Sequence, residues 1–282
     1  MGIKITKMQG CGNDFVILDY EEFQKMNCNM ADAAKKLCDR NFGIGADGLI
    51  IPNTETSDTD IGWYFYNSDG TTAQMCGNGM RCFAKYVYDK KLVEKKEFSV
   101  KTLAGIIKPT VLEDGQVRVN MSKPILEPNL IPFIPNHNLN YKISVKNRIF
   151  EGNAISMGNP HFVIFIKDDE DLMTLAKEYG PEIEIGAEFP EKTNVEFIKI
   201  KSYKKIELCV WERGCGITLA CGTGACASVV AGILNGLLEN SVDVILPGGM
   251  VNVTWNGTPN KPDGDVFLTG PADYVFTAEL NI

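Results

Sequence analysis

The chain has 282 residues, 44% of them apolar and 23% charged, enough to bury the cores of two domains. A net charge of −8, a pI near 5.0 and the lack of any basic run argue against nucleic acid or an anionic membrane as partner. Nine cysteines, an odd number without a Cys-x-x-Cys pair and with two distant histidines, fit neither a disulfide framework nor a zinc site.

Taken in chain order, Ile3 and Ile5 begin a strand, and Gly12-Asn13-Asp14-Phe15-Val16-Ile17 follows it. Ile61–Tyr66 is aromatic and branched and reads as another strand. A polar turn then leads into MCGNGMRCFAKYV, Met75–Val87. There Met80, Phe83, Ala84, Val87 and Tyr88 recur at helical spacing and predict one buried face. Lys123–Pro135 holds four prolines and reads as the crossing between two halves. Beyond it come Gly158-Asn159-Pro160-His161-Phe162-Val163-Ile164, a strand-like Lys205–Trp211, and the helical segment Gly224–Leu238. That segment is apolar nearly all round and predicts a helix covered by protein on every side, too short and interrupted to span a membrane.

The second half echoes the first. The Cys-Gly-x-Gly motifs at Cys76 and Cys221 lie 145 residues apart, and the Gly-Asn segments at Gly12 and Gly158 keep nearly the same offset. So do the polar turns Asp69-Gly70 and Arg213-Gly214 that precede the cysteines. Shared order at near-constant spacing predicts a duplicated domain. The expected fold class is α+β: two pseudo-symmetric domains, each a mixed sheet curled around a central helix, with the active site in the cleft between them.

A helix start carries unpaired N–H groups and partial positive charge, which lower a thiol's pKa and hold carboxylates. Asn78 and Thr223 are the plausible capping residues. One such cysteine suggests a nucleophile. Two, one per half, suggest thiols on opposite sides of one carbon, a thiolate taking a proton from one face while a thiol returns one to the other. The two helix starts would stabilise charge developing on an adjacent carboxylate, so no cofactor or metal is required.

The motifs KMQGCGNDFVILD, NFGIGADGLI, YNSDGTTAQMCGNGMRC, MGNPHFV, TNVEFI, WERGCGITLACGTGACA and GPADYVF occur in order along the whole chain. In them the chain resembles the diaminopimelate epimerase family, relatives of proline racemase. The resemblance implies interconversion of LL- and meso-2,6-diaminopimelate in lysine biosynthesis, by a cytoplasmic homodimer without cofactor. It implies Cys76 and Cys221 as the acid–base pair, with His161 and Glu212 tuning them. Substrate would be bound by Asn13, Asn67, Gly77, Asn78, Asn159, Asn194, Glu212, Arg213, Gly222 and Thr223. Some members carry Gln where Gly48 stands, so a side-chain contact there is not inherited. In the family the last strand returns to the first domain, giving expected domains of 1–122 with 271–282, and 123–270.

Taken alone, His161 reads as a packing histidine, Asn13 and Asn159 as turn residues, and Cys11, Cys82 and Cys226 as structural. Rival functions are a proline or hydroxyproline racemase with the same thiols and a thiol–disulfide redox protein. An isomerase of the phenazine-biosynthesis type shares the fold but lacks the paired cysteines.

Overall fold

The strand β1 (Gly2–Gly10) buries Ile3, Ile5 and Met8 and turns back through Cys11-Gly12 into β2 (Asn13–Ile17). Both turn residues have positive φ, 54° and 85°, as a two-residue hairpin matched to strand twist requires. These coordinates are a computed structural model that describes residues 2–72 and 75–281. The chain forms two units, Met1–Asn120 with Thr269–Ile282, and Met121–Leu268.

In the first unit, α1 (Tyr20–Gln24) and α2 (Met30–Cys38) lie between β2 and β3 (Gly48–Asn53). Asn29 caps α2 by accepting the Asp32 N–H at 2.8 Å, and Ala33, Ala34, Leu37 and Cys38 seat it on the sheet. After β4 (Ile61–Asn67) comes the long helix α3 (Gly77–Asp89), then β5 (Val100–Thr102), β6 (Gly105–Ile107) and the hairpin β7 (Pro109–Val111)–β8 (Val117–Asn120). Helix α3 packs against β1, β2 and β3 on one side and β7 and β8 on the other. It is therefore buried more widely than its apolar stripe predicts. Arg81 is fully buried, and Tyr86 is buried with its hydroxyl donating to Asp19 at 2.9 Å, while Tyr88 is only half-buried.

The second unit holds β9 (Tyr141–Val145), β10 (Arg148–Ser156), β11 (Pro160–Phe165), α4 (Leu172–Glu184), β12 (Asn194–Ser202), β13 (Lys205–Glu212), the short β14 (Gly216–Ile217), α5 (Gly222–Leu234), β15 (Ser241–Leu246), β16 (Gly249–Trp255) and the first three residues of β17 (Val266–Gly270), whose Thr269 and Gly270 fall to the first unit. Helix α5 is wrapped by β10, β11, β12 and β16, and Gly224–Ile233 are all buried. The proline-rich segment is not a solvated link. Ile131 and Phe133 are 2% and 4% exposed and belong to the core that α4 shares with β11 and β12. Pro-rich composition here fixes an irregular path whose apolar residues still find a core.

The chain then returns as β18 (Asp273–Asn281), antiparallel to β1, so the first sheet runs β18-β1-β2-β3-β4-β5-β6. In the second unit the corresponding series is β9-β10-β11-β12-β13-β15-β16. Across both, successive pairings are antiparallel, antiparallel, parallel, antiparallel, parallel, antiparallel. The duplication suspected from three landmarks is thus written in the order and direction of seven strands. Each unit places its long central helix, α3 or α5, in the crossover between parallel neighbours. No helix is long and apolar enough to cross a membrane among the described residues.

Candidate active site

Each central helix opens on a cysteine. Cys76 (φ −137°, ψ 113°) and Cys221 (φ −121°, ψ 107°) are extended, and each thiol sulfur accepts the backbone N–H three residues on, from Gly79 and Gly224, at 3.4 Å. The thiols are themselves the N-caps, where Asn78 and Thr223 had been expected. The reason is geometric: the capping position is the last non-helical residue, and Gly77-Asn78 and Gly222-Thr223 already lie in the first turn. Glycine at 224 leaves room for two side chains, since a Cβ there would stand 2.7 Å from Glu196 Oε1 and 3.2 Å from the Cys221 sulfur and would displace the Glu196 carboxylate.

In the first unit the residues around Cys76 form a polar chain. Asn78 donates to Asn13 Oδ1 at 2.9 Å and accepts from Arg81 Nη1 at 2.8 Å, while Asn13 donates to Asp47 Oδ2. Asp47 is in turn held by Arg40 at 2.8 Å, and Arg40 also pairs with Asp14 at 2.9 Å. Asn67, at the end of β4, pairs in register with Gly48 and donates to Thr71 Oγ1 at 2.9 Å within its own turn. Cys11, expected to be structural, is buried, and its sulfur faces Arg81 Nη2 at 3.6 Å. Burial raises its thiol pKa.

In the second unit His161 is fully buried, with Nδ1 2.7 Å from Glu196 Oε1 and Nε2 3.1 Å from Asn159 Oδ1. Asn159 donates to Thr223 Oγ1 at 3.3 Å, and Thr223 Oγ1 lies 3.5 Å from the Cys221 sulfur. Asn194 is occupied by backbone: its amide donates to the Pro160 carbonyl at 2.7 Å and accepts the Arg213 N–H at 2.9 Å. That bond, and Glu184 accepting from Trp211 Nε1 (2.8 Å) and Gly214 N–H (2.9 Å), fix the Trp211–Gly214 turn. Arg213 Nη1 rests on the Glu191 carbonyl at 3.0 Å, and Glu212 accepts from the Thr218 hydroxyl.

The electrostatics at Cys221 run opposite to the expectation for a helix start. Burial, reinforced by the Glu212 and Glu196 carboxylates, pushes its thiol well above the ordinary value; the Thr223 hydroxyl and Gly224 N–H pull downward and lose. Burial also raises the Glu212 carboxyl, against the Thr218 bond and the His161 ring. The shift favours the protonated thiol at Cys221, the form that gives a proton. Removing a negative neighbour makes the thiolate cheaper, so Glu212→Gln is expected to move Cys221's titration downward. Thiolate absorbance at 240 nm, taken as the difference from a Cys221→Ser variant, reads this directly. An unmoved or raised midpoint would show that Glu212 does not act on this thiol.

The family model described as diaminopimelate epimerase matches residues 5–127 and again 153–275. The chain belongs to the diaminopimelate epimerase family. It is 47% identical to the diaminopimelate epimerase of Carboxydothermus hydrogenoformans, over 98% of this chain and 99% of that one. It is 44% identical to that of Halothermothrix orenii, over 100% and 99%. Among solved structures, a probable proline racemase from Agrobacterium radiobacter superposes with TM-score 0.69 at 15% identity, covering 99% of this chain and 93% of that one. A Bacillus anthracis phenazine biosynthesis protein of the PhzF family does so with TM-score 0.66 at 16%, covering both chains fully. At such identities these two share the fold alone with this member of the epimerase family.

Four residues that hold the predicted site residues were not singled out from sequence: Asp47 through Asn13, Arg81 through Asn78, Glu184 through the Trp211–Gly214 turn and Glu196 through His161. Glu196 and Arg81 are 0% exposed and Glu184 is 7% exposed. A buried charge cannot be told from a surface one by residue type, but Asp47, Arg81 and Glu196 stand inside the quoted motifs, and only Glu184, at the end of α4, lies outside them.

Proposed function

We propose that the protein is a cofactor-independent epimerase interconverting LL- and meso-2,6-diaminopimelate in lysine biosynthesis, with Cys76 and Cys221 as its two acid–base groups. The observation that carries the reading is the pair of helices, one per unit at equivalent positions, each capped by a thiol and each opening Gly-x-Gly. In one direction a Cys76 thiolate takes the α-hydrogen as a proton, and the C–H electron pair is left on the α-carbon and spread into the carboxylate. The Cys221 thiol gives its proton to the opposite face. The reverse reaction exchanges the roles, so protons balance in each turnover.

The barrier is the weak acidity of the α-carbon. N–H groups of Gly77, Asn78, Gly222 and Thr223, with both helix dipoles behind them, would stabilise the charge that develops on the carboxylate. Arg213 offers a fork for the distant carboxylate and Glu212 a partner for an ammonium group, with Asn13, Asn67, Asn159 and Asn194 shaping the walls. We read the protein as a cytoplasmic homodimer, to which the half-exposed Tyr274, Val275 and Phe276 of β18 would lend apolar surface.

The reduced protein in deuterated water is expected to place deuterium at the α-carbon of diaminopimelate, read by mass spectrometry. Exchange with proline or hydroxyproline but not with diaminopimelate would replace this reading with a racemase. Exchange with neither would remove the proton-transfer reading altogether.

A further inference from the structure

The polar chain beside Cys76 has a direction, and the groups at its ends set it. At one end Arg81 is a guanidinium, which can only donate; at the other Asp47 is a carboxylate, which can only accept. A carboxamide between neutral partners can turn over, exchanging its oxygen and nitrogen at little cost. Here it cannot. Arg81 Nη1 demands the Asn78 oxygen, so the Asn78 nitrogen faces Asn13 and donates to its oxygen at 2.9 Å. The Asn13 nitrogen is then left facing Asp47, the one arrangement a carboxylate accepts.

Both ends are firmly held. Arg81 is 0% exposed, and its other donors go to the Pro271 carbonyl at 2.9 Å and the Cys11 sulfur at 3.6 Å. None of these acceptors is a carboxylate, so the buried cation is met by neutral dipoles alone, a costly arrangement. Asp47 is fixed by Arg40 at 2.8 Å and by the Asp14 N–H at 3.1 Å. Each asparagine spends one N–H within the chain. Each therefore retains a second N–H, on an amide whose orientation is no longer free.

We propose that Arg81 and Asp47 are positioning residues, which lock the Asn78 and Asn13 carboxamides with an N–H of each presented to the carboxylate of the substrate. The inference rests on the epimerase reading and names the source of its carboxylate donors in the first unit. It also accounts for a buried cation five residues after Cys76, in the helix that Cys76 caps.

The test compares variants that keep the polarity of an end with variants that blur it. Arg81→Lys and Asp47→Glu keep a donor-only and an acceptor-only group. Arg81→Gln and Asp47→Asn put an amide there, which can turn over together with its neighbour. The blurred variants are expected to raise KM for diaminopimelate about ten-fold, the scale of one lost hydrogen bond to a charged group, with kcat within about three-fold. The matched variants should stay nearer the parent, and thermal unfolding identifies any variant that is not folded. Should the variants at one end fail to fold, those at the other supply the same contrast. Equal rises in KM at an end for both kinds of variant would mean that packing rather than polarity matters, and unchanged KM would mean that the chain has no part in binding; either overturns the proposal. A parent protein that does not turn over diaminopimelate overturns the epimerase reading, and this inference with it. An active parent with no polarity contrast overturns only the positioning role.

Discussion

Replacing Cys76 or Cys221 by alanine is expected to abolish epimerisation, with kcat falling by about 10³-fold or more, in line with the loss of one general acid or base. Serine separates the thiol's two duties. A hydroxyl caps a helix at least as well as a thiol, so Cys76→Ser and Cys221→Ser should melt close to the parent, while the alanine variants lose a cap interaction of below about 1 kcal/mol. A serine hydroxyl is far too weak an acid to stand as an alkoxide near neutral pH, so the serine variants should be as inactive as the alanine variants. Assay of α-hydrogen exchange and circular-dichroism melting of all four variants provide the check. An active alanine variant would refute the two-thiol mechanism.

The second large effect is expected at α4, outside both cysteine-capped helix starts. A Cβ at Gly180, in α4, would stand 2.5 Å from Trp211 Cβ and 2.6 Å from its Cγ. These atoms sit at the root of the side chain and cannot swing aside, so Gly180→Ala must push α4 away from β13. Overpacking of this kind costs about 1–3 kcal/mol. The displacement falls on the indole that donates to Glu184, and so on the turn carrying Glu212 and Arg213. Gly180→Ala is expected to lower the melting temperature by several degrees and to raise KM more than it lowers kcat, measured by denaturation and steady-state kinetics. A stable variant with parental KM would show that the turn does not depend on this contact.

Much of the architecture was legible because duplication leaves the same landmarks twice, and the α+β class follows from short aromatic strands feeding glycine-led helices. What escaped was burial on the second face of a strand. In Asn194-Val195-Glu196-Phe197, alternation puts Val195 and Phe197 inward and would leave Glu196 to solvent. Instead Val195 and Phe197 join the core with α4 while α5 covers the opposite face, so Glu196 lies against Gly224 with 0% exposure. Arg81 escaped for the related reason that α3 is enclosed from two directions, which a single apolar stripe cannot reveal. The capping role of the thiols was hidden by propensity, which ranks Asn and Thr as caps, whereas each helix begins early enough to put its cap two residues before them, on the cysteine. The direction of the Cys221 shift was out of reach because two carboxylates and burial outweigh a helix start only once the fold has assembled them.

The pairing of Gly2 with Asn281 sets an order of assembly during synthesis. The second unit is one uninterrupted stretch of chain, complete once Leu268 has been made. The first unit begins earlier yet finishes later, because its edge beside β1 is filled by β18, which follows the whole of the second unit in the chain. Until then β1 keeps an open edge, the kind of surface on which nascent chains pair with one another. The half that carries Cys76 is first to be translated and last to be closed.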